Sequence, residues 1–138
     1  MKQNNKSGFT LLEIIIVIII VGVLASLALP RFFSTVEFSK STEALASMSS
    51  IRQSIERCFL ASAGTYVGCD IDTIDLENPG NSPGTHWTYV VSNQAVDTYD
   101  VIATRNSYDG GVAGDTITIS QDANGVTKVG TGPFIGIR

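Results

Sequence analysis

The chain has few of the residues that build metal and catalytic sites. Its 138 residues include two cysteines and a single histidine, His86. A structural zinc ion takes about four such ligands, so the composition argues against zinc. No Ser/His/Asp arrangement and no glycine-rich phosphate loop is present, and His86 stands alone at the start of a candidate strand. We therefore expect no enzyme activity, no cofactor and no metal site.

Basic residues are also scarce. Nine lysines and arginines stand against 13 aspartates and glutamates, which gives a net charge of −4. Neutralising nucleic-acid phosphates takes clustered lysine and arginine side chains. The charge balance therefore argues against a general nucleic-acid-binding surface.

Charge is almost absent from the 21 residues between Phe9 and Leu29. The polar side chains in this run are those of Thr10, Glu13 and Ser26. A helix of this length is about 31 Å long, which matches the hydrocarbon core of a bilayer. A carboxylate inside such a helix costs roughly 2.5–3.5 kcal/mol on insertion scales, so Glu13 calls for a functional explanation and a partner.

The hexapeptide that opens this run resembles a known processing signal. Gly8-Phe9-Thr10-Leu11-Leu12-Glu13 follows the basic residues Lys2 and Lys6 and precedes an apolar helix that reaches Pro30. This pattern resembles the type IV prepilin signal, which type IV pilins share with the pseudopilins of type II secretion. The resemblance implies that residues 1–8 are a leader, that a prepilin peptidase cleaves after Gly8, and that the same enzyme N-methylates Phe9.

The resemblance also implies a cellular route for the protein. Lys2 and Lys6 favour a cytoplasmic N-terminus, so residues 9–29 would cross the bacterial inner membrane once. There the protein would meet an assembly platform and copies of itself or related pilins. After assembly it would form part of an extracellular pilus or a periplasmic pseudopilus.

Glu13 lies one helical turn after Phe9, and this spacing suggests a role in assembly. Glu13 cannot easily reach the Phe9 amine of its own chain without strain. The Phe9 ammonium group of another subunit, displaced along a filament axis, could reach it. The alternative is an interfacial carboxylate with no partner.

Other functions remain open at this point. Ser26-Leu27-Ala28 is a passable site for ordinary signal peptidase, although the apolar run is long for the 7–15 residues of a secretory signal.

The preferred function is a structural subunit of a type IV pilus, with a type II secretion pseudopilin as the alternative and a membrane-anchored binding domain as the third. A calcium-binding loop would favour a pseudopilin, but the acidic residues match no defined ion loop. They are Asp70, Asp72, Asp75 and Glu77.

Beyond the membrane segment the pattern predicts that the helix continues. We expect one helix over residues 9–63, with a membrane and assembly segment at 9–29, an amphipathic half at 30–63 and a stop at Gly64. Pro30 should kink it, because proline removes a backbone donor and clashes with the preceding turn. One apolar stripe consists of Ala44, Met48, Ile51, Ile55 and Phe59. Four charged side chains are expected to face solvent or a neighbouring subunit: Lys40, Glu43, Arg52 and Glu56.

The remaining residues, 64–138, predict a small globular head. Alternating apolar residues indicate strands near 86–91, 99–104, 115–121 and 126–129, after a loop at 65–85. We expect an α+β pilin fold, in which the long helix packs on an antiparallel sheet of three or four strands. The glycine-rich segment 130–138 is expected to lie along the sheet edge or to move. Cys58 and Cys69 form one disulfide in an exported chain, or are two buried thiols.

Overall fold

A computed structural model describes residues 8–137 and contains one long helix and one four-stranded antiparallel sheet. The helix, α1, spans Leu11–Ala61, and the strands are β1 Trp87–Ser92, β2 Tyr99–Arg105, β3 Thr116–Asp122 and β4 Gly125–Gly130. The strands lie in the order in which they occur along the chain. This arrangement confirms the predicted α+β pilin fold. Residues 1–7, the greater part of the predicted leader, lie outside the described range.

Helix α1 is two residues shorter at each end than the predicted 9–63. At its start, the Thr10 side chain accepts a hydrogen bond from the Glu13 backbone N–H at 3.3 Å, as an N-cap residue does. At its end, Ala63 and Gly64 have φ angles of 56° and 82°. The Gly64 N–H donates to the Phe59 carbonyl at 3.0 Å, which closes the last turn.

The first part of the helix exposes its apolar side chains. The chain divides into two compact units, one ending at Thr35 and one beginning at Val36. In the first unit, the large apolar side chains from Leu11 to Phe33 are 42–77% exposed. Among the described residues, α1 is the one helix long and apolar enough to cross a membrane. Pro30 lies within it, and the helix continues across this residue. The kink stays a prediction.

The second unit has a core between one stripe of α1 and the inner face of the sheet. Ala44, Met48, Ile51 and Ile55 of the predicted stripe are fully buried. The inward-facing strand residues are also buried, as their alternation predicted: Trp87, Tyr89, Val91, Tyr99, Val101, Ala103, Ile117 and Ile119.

The loop between α1 and β1 contains no strand, as predicted, but it contributes to this core. Tyr66, Cys69, Ile71 and Ile74 are buried. Cys58, in the last turns of the helix, forms a disulfide with Cys69, and their Cα atoms are 5.8 Å apart. The disulfide therefore holds the start of the loop against the end of the helix.

The C-terminal segment differs from the prediction of a sheet-edge or moving tail. After a turn at Gly132–Phe134, the Phe134 side chain is fully buried, with its ring centroid 5.0 Å from that of Trp87. Ile137 is buried as well. The tail prediction was wrong because glycine content indicates a turn but does not show where the apolar residues between the glycines go.

Candidate functional site

Gly8 and Phe9 stand ahead of the helix, exposed to solvent. Phe9 is 79% exposed, and no atom lies within 4 Å of the position that a Cβ on Gly8 would take. The fold therefore has no steric need for glycine at position 8. A requirement for a small residue there would have to come from an enzyme that acts on the junction.

Glu13 lies in the first turn of α1, a position that the sequence analysis did not consider. Thr10 and Glu13 have the Ser/Thr-x-x-Glu/Gln spacing of a capping box, and the Thr10 hydroxyl accepts a hydrogen bond from the Glu13 backbone N–H, but within residues 8–137 the Glu13 carboxylate accepts none in return. A carboxylate in the first turn also interacts favourably with the positive end of the helix dipole. Within residues 8–137, the Glu13 carboxylate has no side-chain partner. The three-residue spacing of Thr10 and Glu13 in the sequence is the signal that could have predicted this cap.

The predicted site residues fall into separate parts of the chain. Gly8, Phe9 and Glu13 lie together at the start of the first unit, and Pro30 lies further along the same helix. The disulfide of Cys58 and Cys69 belongs to the second unit. Within the described residues, no three His, Cys, Asp or Glu side chains are placed to hold a metal ion.

The second unit also contains a polar cluster centred on Arg105, which the sequence analysis did not predict. Arg105 is 1% exposed and ends β2 on its inward face. Its guanidinium donates two hydrogen bonds to Glu37, at 3.0 and 3.3 Å, and one to Asp109 at 3.0 Å. It also donates to the carbonyls of His86 and Asn106, at 3.1 and 2.9 Å. One side chain thus connects the helix, the start of β1 and the loop after β2.

Lys40 and Glu43 belong to the same cluster. Lys40 is half-buried, which corrects the expectation that it faces solvent or another subunit, whereas Glu43 is exposed as expected and also contacts its own unit. Lys40 Nζ lies 2.6 Å from Asp109 Oδ2 and 3.2 Å from Glu37 Oε1. His86 Nδ1 lies 2.7 Å from Glu43 Oε2, and its Nε2 lies 3.1 Å from Asp109 Oδ2. The helical spacing could indicate the pair of Lys40 and Glu37 but not the contacts with His86 and Asp109, because His86 lies just before β1 and Asp109 lies in the loop between β2 and β3.

The cluster shifts the pKa values of its carboxyl groups. Hydrogen bonds from Lys40 and then from Arg105 lower the pKa of Asp109 to about 2. The hydrogen bond from Arg105 also lowers the pKa of Glu37, although burial opposes the shift. Asp109 therefore stays charged well into the acid range, and Glu37 stays charged to a lower pH than its ordinary pKa would allow.

Arg52 and Glu56 likewise contact their own unit, so the expectation of outward-facing side chains was wrong for them too. Glu56 accepts hydrogen bonds from the hydroxyls of Tyr66 and Tyr99, at 3.0 and 3.1 Å. Arg52 donates to the Tyr99 hydroxyl at 3.3 Å. Burial, followed by the hydrogen bond to Glu56, raises the pKa of Tyr66 to about 12.

The N-terminal segment matches a known family model. Residues 3–29 match the prokaryotic N-terminal methylation motif. The chain is 37% identical over 60 residues to a type IV major fimbrial protein, FimA, of Dichelobacter nodosus, a match over 44% of this chain and 38% of that protein. The chain is thus similar to type IV fimbrial proteins.

Two further relatives are a fimbrial protein and a type II secretion protein. A fimbrial protein of Moraxella nonliquefaciens is 35% identical over 96 residues, which cover 59% of this chain and 62% of the relative. The type II secretion system core protein G of Pseudomonas aeruginosa is 36% identical over 56 residues, or 41% and 39% of the two chains. The chain thus spans between 38% and 62% of the length of these relatives. No solved structure matches it.

Proposed function

We propose that this protein is the structural subunit of a type IV pilus. It is made as a prepilin, cleaved after Gly8, N-methylated at Phe9 and polymerised through its N-terminal helix. The observation that carries the proposal is a run of large apolar side chains, 42–77% exposed from Leu11 to Phe33, directly after the methylation motif. A surface of this kind requires lipid before assembly and copies of the same helix afterwards.

Glu13 would set the register of that assembly. Its carboxylate has no partner within residues 8–137, and cleavage after Gly8 would create an ammonium group on Phe9 of every copy. An unpaired carboxylate in an apolar environment is energetically costly. The Phe9 ammonium group of a neighbouring copy would offset this cost only when the two copies are displaced along the filament axis by the distance that brings the two groups together. The pair would therefore select the register of the polymer.

The partners and location follow from the same proposal. A prepilin peptidase and methylase would act at Gly8 and Phe9, and an inner-membrane assembly platform would add subunits to the growing polymer. Before assembly, the protein would cross the bacterial inner membrane once with its N-terminus in the cytoplasm.

A pseudopilin of type II secretion is the second candidate. The similarity to the type II secretion system core protein G favours it, since that relative and the fimbrial proteins match at nearly the same identity. The two candidates differ in the product: long surface fibres for a pilin, and short periplasmic polymers with a secretion defect on deletion for a pseudopilin.

Shearing of surface filaments followed by mass spectrometry tests the proposal. We expect sheared filaments to contain this chain beginning at N-methylated Phe9. Polymers found only in the periplasm, together with loss of secretion on deletion, would assign the pseudopilin role. A chain that begins after Ala28, or that stays a membrane-anchored monomer, would contradict both candidates.

A further inference from the structure

Arg31 differs from the other basic residues of the described chain in its side-chain contacts. Its side chain has no contact within residues 8–137, whereas the remaining basic residues in that range each interact with another part of the chain. Phe32 and Phe33 follow it directly, both 63% exposed, with their rings edge to face at 6.3 Å. We call these three residues the Arg31 patch. Exposed arginine beside aromatic rings is the composition of an interface hot spot.

The same chain carries carboxylates that lack a partner. In the loop 70–77, which we call the acidic loop, Asp72, Asp75 and Glu77 are exposed, and their carboxylates have no partner within the described residues. Arg57 contacts Asp75 only through its backbone carbonyl, at 3.3 Å. The acidic loop therefore presents negative charge that no other residue in the range 8–137 neutralises.

A shallow cavity adjoins the acidic loop. It has a volume of about 320 Å³ and lies between the last turns of α1 and the loop, where Cys58, Ala61, Ile74 and Asp75 line it. The disulfide between Cys58 and Cys69 fixes these two walls beside each other. Arg57 also lines the cavity, but its guanidinium donates to Ser54 Oγ at 2.9 Å. A cavity of this size with apolar walls suits an aromatic side chain.

We propose that the Arg31 patch of one copy docks on the acidic loop and the adjoining cavity of a second copy. In this contact Arg31 meets the carboxylates and a phenylalanine ring enters the cavity. The inference rests on the proposed function, since it requires a polymer of this chain. It goes beyond that function by naming a contact that involves the head as well as the helix.

A second copy fits this surface for two reasons. The charges are complementary, because residues 8–137 of each chain include one arginine, Arg31, and a loop of carboxylates that have no partner within that range. The two surfaces are also different from each other, so the contact is head-to-tail. A head-to-tail contact that does not close into a ring produces an open helical polymer, in which every interior copy has both surfaces covered.

Photo-crosslinking of the full-length chain in producing cells tests the contact. With p-benzoyl-phenylalanine in place of Phe33, we expect a crosslinked dimer in which the captured peptide includes residues 70–77. The same probe at Val112, which is 70% exposed in the loop after β2, should not capture that peptide. Capture of lipid, of another protein or of a different part of the second copy would overturn the inference.

Charge reversal provides an independent test. Arg31→Glu should reduce sedimentable polymer at least about tenfold, and the acidic-loop pair Asp72→Lys with Asp75→Lys should do the same. The combination of all three changes should restore polymer to within about twofold of the unmodified chain. Asp97→Lys is the matched control. Asp97 lies outside the acidic loop, and its carboxylate is exposed and has no partner within the described residues.

The outcomes separate this inference from the proposed function. Normal polymer from Arg31→Glu, or no rescue in the triple variant, would overturn the docking contact while leaving a polymerising pilin. If the unmodified chain gives no polymer on the surface or in the periplasm, the proposed function fails first.

Discussion

At the scale of single residues, Arg105 is the most constrained side chain of the head. A buried guanidinium is costly unless its donors are satisfied, and here two carboxylates and backbone carbonyls accept from it. Arg105 and Glu37 are 68 residues apart in sequence, so the contact forms only when the helix, β2 and the following loop have folded together.

Arg105→Ala should destabilise the head strongly. Breaking a buried ion pair by removing one partner costs about 3–5 kcal/mol, and we expect that loss in the free energy of unfolding of the head. Trp87 is the single tryptophan of the chain and is fully buried, so its fluorescence during urea unfolding of the full chain in detergent measures the change. Arg52→Ala, which removes one hydrogen bond to Tyr99, should cost less. Equal losses for the two variants would contradict the special role of Arg105.

The head should also lose stability in acid, through Asp109. Its pKa falls from 3.8 to about 2 on folding, so the folded state binds its proton less tightly than the unfolded state. The resulting stability is present above pH 4 and is lost as the pH falls toward 2. Asp109→Asn should flatten this pH dependence in the same Trp87 assay. Asparagine suits the site because it tolerates the φ of 56° found there. An unchanged pH dependence in that variant would contradict the assignment.

At the scale of elements, the C-terminal segment contributes to the core rather than trailing from the sheet. Phe134 is carried by a short turn after β4, yet its ring packs on Trp87 of β1, at the opposite end of the strand order. The Phe134 side chain thus packs in the core and helps to close it. Deleting this segment should therefore affect the whole head and not only the edge strand.

Phe134→Ala should lower the free energy of unfolding of the head by about 3–5 kcal/mol, the usual cost of removing a buried aromatic ring. The neighbouring Ile135 is 73% exposed and offers a matched control, since Ile135→Ala removes little buried surface. The two variants can be compared by thermal unfolding with Trp87 fluorescence. A similar, small effect of both changes would indicate that the tail is not part of the core.

At the scale of the whole molecule, the chain combines one unit that exposes apolar surface with one that buries it. Residues 8–35 have no core of their own, while the second unit has a core between helix and sheet. The first unit therefore depends on surroundings that the chain alone does not supply. Membrane insertion and polymerisation would each cover the exposed apolar side chains of this unit.

Glu13 offers a test of how the first unit assembles. Glu13→Val should be cleaved normally but assemble poorly, because the variant loses the charge that would pair with Phe9 of another copy. Glu13→Gln separates that charge from the helix cap, since glutamine can also occupy the N3 position of a capping box. We expect Glu13→Gln to assemble as poorly as Glu13→Val, as judged by sheared filament yield. Normal filament yield from Glu13→Gln would show that capping, not charge, is what assembly requires.

The sequence by itself determined the features that depend on local pattern. The methylation motif, the exposed apolar helix, the buried stripe from Ala44 to Ile55 and the inward faces of the strands are all encoded by residue types at short, regular spacings. Helix ends were predicted to within two residues, at the start from the apolar run that begins at Phe9 and at the end from Gly64 as a C-terminal stop.

Only the tertiary structure decided which distant groups meet. A period of 2.0 or 3.6 residues shows which side of an element faces inward, but not which partner from another element lies there. Arg105 reaches Glu37, Phe134 reaches Trp87, and Glu56 reaches Tyr99 because sheet order and the path of the loops bring them together. Lys40 was predicted to face outward because its position on the helix does not show that a partner from another segment lies beside it. Such partners lie in segments that become neighbours only in the folded chain.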